Sequence, residues 1–339
     1  MINPQQQQQQ SRRGFIKAAS VLAVAAAAGT AGVARGAAAT QESNDAAAAP
    51  GEGPPYKVSL NAYSFSKLLN DFNKQRGGGI SLMALLEWCA KNGFDGIDPT
   101  GYFFPTYPDV PPDDFVNNLK RKAFSLGLGI SGTGVRNNFT TAEKSERDAS
   151  VKHIKQWVEV AARLGAPVLR VFADTQMKSA TWQQVAPGLS RDDVQKYIVD
   201  ALSECTEQGK KYGVIIGVQN HGDFLQTAEQ QLALVNAVKS EWCGPIVDTG
   251  YYKTPDPYKE IEQVAPHAVN WQIKEKPFGQ ETDTPTDLIK LMKIVRASGY
   301  RGYLPIETLS KNKGADGYDP FAVVPPFLKK LREAIQQTA

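Results

Sequence analysis

The chain has 339 residues, 38 Lys and Arg against 35 Asp and Glu, and a formal net charge of +3. Its first 39 residues hold Arg12, Arg13, Lys17 and Arg35 and no acid, so taking those four charges from +3 leaves −1 for the rest. That near-neutral remainder lacks the basic footprint of polyphosphate binding, which excludes nucleic acid as a partner.

Ser11-Arg12-Arg13-Gly14-Phe15-Ile16-Lys17 reads as a twin-arginine export motif. The uncharged run from Ala18 to Ala34 follows it, and Ala37-Ala38-Ala39 offers a cleavage step. The run is Ala-rich and Gly-broken, too weakly apolar to span a membrane. Residues 1–39 are therefore expected to be a signal peptide read by the twin-arginine machinery, with the mature protein periplasmic or otherwise extracytoplasmic and without a stable span. Residues 40–56 are Ala/Gly/Pro-rich and read as a flexible tether. Residues 57–339 remain as one folded domain, and nothing in them argues against a homo-oligomer. Cys89, Cys205 and Cys243 are too few and scattered for a disulfide framework and read as buried apolar residues. A thiol-only core suits export after folding in a reducing cytoplasm.

From Lys57 onward one grammar repeats: an amphipathic segment, a stop glycine, a short apolar run, and a polar loop. Asn92-Gly93-Phe94, Leu126-Gly127-Leu128, Leu164-Gly165-Ala166, Tyr212-Gly213-Val214 and Ser298-Gly299-Tyr300 carry the stops, because glycine tolerates the left-handed conformation that ends a helix. The apolar runs predict strands over 57–65, 95–98, 129–133, 168–172, 214–219, 246–248, 269–274 and 303–307, and their continuity suits strands buried on both faces. Leu82, Leu85, Leu86 and Cys89 share one helix face, as do Val194, Ile198, Ala201 and Cys205. Ser190 with Asp193 makes a capping box. The last helix is expected to follow Pro325-Pro326 and to carry Leu328, Leu331 and Ile335. Eight strand–helix cycles spaced about 30 residues apart predict an α/β fold, the closed (β/α)8 barrel. An open doubly wound sheet is the rival, but Asn61-Ala62-Tyr63-Ser64-Phe65 offers no Gly-rich phosphate loop after the first strand.

In such barrels the reactive side chains project from the C-terminal strand ends. Those ends read Asp98, Arg136, Arg170, Gln219-Asn220-His221, Asp248, Gln272 with Lys274 and Glu275, and Glu307. Polar groups that close apolar runs are costly unless paired, liganded or open to a cavity, so their convergence predicts a pocket. The aromatic stretch Tyr102-Phe103-Phe104-Pro105-Thr106-Tyr107 reads either as a lid that stacks on a ring or as packing over the mouth.

Four segments resemble the xylose isomerase-like barrel superfamily of sugar isomerases and epimerases: 213–221, ending Gln219-Asn220-His221; Val247-Asp248-Thr249-Gly250-Tyr251; Trp271-Gln272-Ile273-Lys274-Glu275; and Gly302-Tyr303-Leu304-Pro305-Ile306-Glu307. They match in order the superfamily's Glu-Asn-His, Asp-Thr-Gly-His, His-x-Lys-Asp and terminal Glu strand ends. The resemblance implies a (β/α)8 barrel of the TIM type and a divalent metal on Gln219, Asp248, Gln272 and Glu307. Two of these depart from the superfamily pattern, since amides stand where it has Glu and His. An all-oxygen, less charged set suits Mg²⁺ or Mn²⁺ over Zn²⁺; direct hydrogen bonds from the two amides to sugar hydroxyls are the metal-free alternative. Gln219 is no base, which leaves Glu307 as the survivor of the two glutamates that the resemblance implies for proton exchange, with Lys274 or His221 as acid. Asp98, Arg136, Arg170, Asn220 and Tyr251 are expected to bind substrate. The resulting expectation is an isomerase or epimerase acting through an enediolate-like intermediate on an unphosphorylated sugar, keto-sugar or cyclitol. A keto-sugar lyase or hydratase and a non-catalytic sugar-binding barrel stay open beside it.

Overall fold

The apolar runs form nine strands, every pair parallel: β1 (Lys57–Asn61), β2 (Gly96–Asp98), β3 (Gly129–Ile130), β4 (Thr133–Gly134), β5 (Val168–Phe172), β6 (Ile215–Gln219), β7 (Cys243–Asp248), β8 (Asn270–Lys274) and β9 (Tyr303–Glu307). The sheet order is β3-β2-β1-β9-β8-β7-β6-β5-β4. The computed structural model describes residues 56–174, 180–277, 284–309 and 317–339. The expected signal segment and the tether as far as residue 55 lie outside the described residues. Among the described residues no helix is long and apolar enough to cross a membrane.

The two ends of the sheet, β3 and β4, are neighbours in the chain. They are halves of one stave: β3 pairs with β2 and β4 with β5, so nine strands make eight staves and the chain itself closes the ring. The unbroken strand expected over 129–133 is therefore corrected. At the break, side chains replace the ladder: Asn270 Nδ2 donates to the Ser131 carbonyl at 3.1 Å, and Ser59 Oγ donates to Ser131 Oγ at 2.8 Å. A Cβ on Gly132 would lie 2.9 Å from Asn270 Nδ2, so a side chain there would push that amide off the Ser131 carbonyl.

The strand expected over 57–65 stops at Asn61, whose side chain accepts from Tyr63 N at 2.9 Å and turns Ala62–Phe65 into a 3-10 turn. The helices follow as α1 (Ser66–Asn73), α2 (Leu82–Lys91), α3 (Asp113–Ser125), α4 (Lys144–Leu164), α5 (Trp182–Val185), α6 (Arg191–Tyr212), α7 (Ala228–Val238), α8 (Pro257–Val264), α9 (Leu288–Ala297) and α10 (Pro320–Gln337). α2 buries Leu82, Leu85, Leu86 and Cys89, and α6 buries Val194, Ile198, Ala201 and Cys205, the faces their periodicity predicts. Ser190 and Asp193 form the capping box, and α6 ends at Gly213 with φ 71°. All three cysteines are free and buried.

α10 starts at Pro320, not after Pro325-Pro326, and both prolines lie inside it. Asp319 caps it by accepting from Phe321 N at 2.9 Å, and Pro320 supplies a preset φ at the first helical position. Internal prolines cost about 3 kcal/mol or more by removing helix bonds. The buried row Val324, Phe327, Leu328, Leu331 and Ile335 offsets that loss. At the N-terminal end of the barrel Tyr303 lies across two glycines: a Cβ on Gly96 would come within 2.8 Å of Tyr303 Cε1, and one on Gly129 would overlap its hydroxyl.

Candidate active site

Parallel register puts the C-terminal strand ends side by side: Phe172 opposite Gln219, Asp248 opposite Gln272, and Lys274 opposite Glu307. Inward and outward side chains alternate along a strand, so Gln272 and Lys274 both enter the barrel. The result is a buried polar row. Gln219, Asp248, Gln272, Lys274 and Glu307 are each at most 3% exposed, with Asp98 at 4% and Arg170 at 5%.

The row is tightly bonded. Lys274 Nζ donates to Glu307 Oε2 at 2.5 Å and stands 3.4 Å from Asp248 Oδ2. Gln219 Nε2 donates to Asp248 Oδ2 at 2.5 Å and to Gln272 Oε1 at 3.2 Å. The Gln219 carbonyl accepts from Arg170 Nη1 at 3.1 Å, while Arg170 Nη2 donates to Tyr102 Oη at 3.1 Å. These neighbours fix the amide's direction. Turning it over would set its oxygen against the Asp248 carboxylate and its NH₂ against the Arg170 guanidinium.

Burial and charge move the titrations. Desolvation pushes the Asp98 carboxyl up to about 6, with Arg170 pulling down and Glu307 pushing up. Desolvation also raises Asp248, against the pull of Lys274. For Lys274 burial alone would lower the ammonium, but Asp248, Glu307 and Tyr251 outweigh it and the net direction is up. Held between two carboxylates, the Lys274 ammonium, expected as an acid, is placed as a cation.

The other expected residues divide by where the fold puts them. Asn220 is fully buried and bonds the Asp248 backbone twice, accepting from its N at 2.7 Å and donating to its O at 2.9 Å. With both amide atoms engaged by that backbone, it braces the ends of β6 and β7. Arg136 is exposed, with its guanidinium 5.0 Å from the Tyr102 ring centroid, at the rim and apart from the buried row. Tyr251 lies between the ring of His221, 4.3 Å away centroid to centroid, and Lys274 Nζ at 5.5 Å. His221 Nδ1 pairs with Asp174 Oδ2 at 2.5 Å, the imidazole being 30% exposed and the carboxylate 3%. Sequence reasoning passed over Asp174. The available signal was an acid two residues past the end of β5, facing Gly222, where a Cβ would come within 2.5 Å of Asp174 Cβ. In the aromatic stretch Phe103 and Phe104 are buried, the packing alternative, while Tyr102 turns inward to Arg170.

The four expected metal ligands do come together, but not as a ligand set. The Lys274 ammonium stands between the two carboxylates, and Gln219 offers Asp248 an N–H where an ion would need a carbonyl. A divalent ion about 4 Å from that ammonium would meet about 8 kcal/mol of repulsion at an effective dielectric near 20. Among the described residues no three His, Cys, Asp or Glu gather as a candidate ion site. The expectation of Mg²⁺ or Mn²⁺ on Gln219, Asp248, Gln272 and Glu307 does not fit this arrangement.

Solved structures of similar fold include apo 3-keto-D-glucoside 4-epimerase from E. coli, at 15% identity and TM-score 0.63, covering 82% of this chain and 99% of that one. D-psicose 3-epimerase from Clostridium cellulolyticum H10, solved with D-tagatose, has 13% identity and TM-score 0.64 over 83% of this chain and 98% of its own. The IolI protein with a bound zinc atom has 18% identity and TM-score 0.57 over 83% and 95%. At these identities the likeness establishes the fold. The profile of one family matches residues 86–331, most of the chain and every strand from β2 to β9, and by that match the chain belongs to the xylose isomerase-like TIM barrel family.

Proposed function

We propose that this barrel is an isomerase- or epimerase-type enzyme acting on an unphosphorylated sugar, keto-sugar or cyclitol through an enediolate-like intermediate. The observation that carries the reading is the buried row in which the Glu307 carboxylate sits 2.5 Å from Lys274 Nζ, with Asp98 and Arg170 in the same mouth. Removing a proton from the carbon beside a carbonyl needs a general base, which a carboxylate can supply, and the charge then moves to oxygen, where fixed cations in a water-poor site stabilise it most. Glu307 is the base. Asp98, whose carboxyl is raised to about 6 by burial, is the second group able to hold a proton near neutrality, and it takes the place that Gln219 cannot fill. The neighbours that carry sugar-epimerase names support the same substrate class. Arg170 and Lys274 are committed to Gln219, Tyr102, Glu307 and Asp248, a poor arrangement for gripping a phosphate and a good one for sugar oxygens.

A lyase or hydratase on a keto-sugar begins with the same proton removal. The partly exposed His221–Asp174 pair favours keeping it as the second reading, because a leaving hydroxyl needs a proton donor at the mouth. In both readings a resident Mg²⁺ or Mn²⁺ would require Lys274 to withdraw and the Gln219 amide to turn, so no step is routed through one. Twin-arginine export belongs to the same proposal, since an extracytoplasmic enzyme meets mostly unphosphorylated sugars. Lysines in place of Arg12 and Arg13 should hold the precursor in the cytoplasm.

The test is solvent exchange. Purified protein is incubated in D₂O with ketoses, 3-keto-glucosides and cyclitol ketones, and followed by NMR. Deuterium should enter the carbon beside the carbonyl of at least one, and Glu307→Gln should slow that entry by roughly 10³-fold. Elimination in place of exchange selects the lyase. Absence of both exchange and elimination throughout, or a reaction indifferent to Glu307→Gln, refutes both.

A further inference from the structure

We infer that this mouth works without the divalent ion that the family resemblance assigns to it, its two carboxylates being neutralised by Lys274 and Arg170. The first ground is position. Lys274 Nζ bridges Glu307 Oε2 at 2.5 Å and Asp248 Oδ2 at 3.4 Å, the only two carboxylates of the expected quartet, and so fills the space an ion shared by them would take. The second is the locked amide. Gln219 gives its N–H to Asp248 and its carbonyl to Arg170, so the residue standing where the family has a carboxylate ligand now joins an anion to a cation.

Charge closes the argument. The family pattern sets Glu, Asp, His and Glu, formally −3, around a 2+ ion. Here Asp248 and Glu307 carry −2, while the Lys274 ammonium and Arg170 guanidinium carry +2. The lysine is common to the family's His-x-Lys-Asp strand end, so what sets this mouth apart is the amide at position 219, which removes one of the anions that would draw an ion in. The ammonium is also fixed in place, because its side chain is 1% exposed and the Lys274 backbone N donates to Thr249 Oγ1 at 2.9 Å.

This predicts the kind of oxygen the site stabilises. An ammonium binds through N–H donors and not by coordination, so it favours a developing enolate oxygen that keeps hydrogen-bond geometry, as on an α-hydroxy-ketone. That part rests on the function proposed above; the statement about the ion does not.

Mn²⁺ binding tests it without reference to turnover. Free Mn²⁺ is followed by electron paramagnetic resonance during titration into the wild-type protein, and melting is compared with and without chelator. The wild type should show no saturable site below about 1 mM Mn²⁺ and an unchanged Tm after chelation. The variant Lys274→Ala with Gln219→Glu and Gln272→His should bind one equivalent at least roughly 100-fold more tightly and melt higher when Mn²⁺ is present. Saturable Mn²⁺ or Zn²⁺ binding by the wild type at micromolar concentration, lost in Asp248→Asn, would overturn the inference, as would a folded triple variant that binds nothing. The wild-type arm decides the matter even where the triple variant does not fold. A protein that exchanges sugar protons and also binds Mn²⁺ sinks this inference alone. One that binds no ion and exchanges no sugar proton sinks only the proposed function.

Discussion

Replacing Asp98 by asparagine should stabilise the protein at pH 8 relative to pH 4. The carboxyl is buried, 4% exposed, and desolvation lifts it from its ordinary 3.8 to about 6. Between those values the folded chain keeps a proton that the unfolded chain has released. Stability is therefore full below about pH 4 and falls as pH rises through 6. About two pKa units correspond to about 3 kcal/mol. Asparagine holds a neutral group of the same shape at every pH and loses nothing. The difference in unfolding free energy between variant and wild type should move by about 3 kcal/mol in the variant's favour from pH 4 to pH 8. In Tm that is roughly 6 °C, read by melting both proteins across the range. A difference that stays flat within about 0.5 kcal/mol refutes burial as the source of the shift. Carboxyls raised by burial in this way cluster at functional sites.

Two further substitutions probe the supporting structure. Asn220→Ala strips the Asp248 backbone of both side-chain bonds in a fully buried place and should cost about 2–4 kcal/mol in urea unfolding; a loss under about 0.5 kcal/mol would deny it the bracing role. Gly129→Ala drives a Cβ into the Tyr303 hydroxyl and should cost about 1–3 kcal/mol. The cost should shrink in a Tyr303→Phe background, and simple additivity of the two changes would refute the contact.

The barrel was legible because its signals are local. A stop glycine such as Gly165, with φ 84°, depends on one residue's freedom, and an apolar run of strand length buries both faces wherever it lands. The positions of Asp98, Gln219, Asp248, Lys274 and Glu307 at strand ends followed from the same reading, while Arg170 and Gln272, expected there too, lie two residues inside their strands. Even the inward direction of Lys274 was available, since it lies two residues from Gln272 on one strand. The break of the third stave was not legible, because it depends on Asn270, 139 residues away, reaching the Ser131 carbonyl. Nor was the early start of α10, where a cap and a buried face outweigh two internal prolines.

What each polar group does in the mouth was decided by tertiary structure alone. The sequence supplied two amides, two carboxylates and a lysine in a family's ion-binding pattern, and composition allowed an ion or its absence. Which end of the Gln219 amide faces Asp248 depends on β5 delivering Arg170 to its other side. Whether Lys274 bridges Asp248 and Glu307 depends on three neighbouring strands bringing its Nζ within 3.4 Å of Asp248 Oδ2. Hydrogen bonds and ion pairs are short-ranged and directional, so their pattern exists only once the ring has closed.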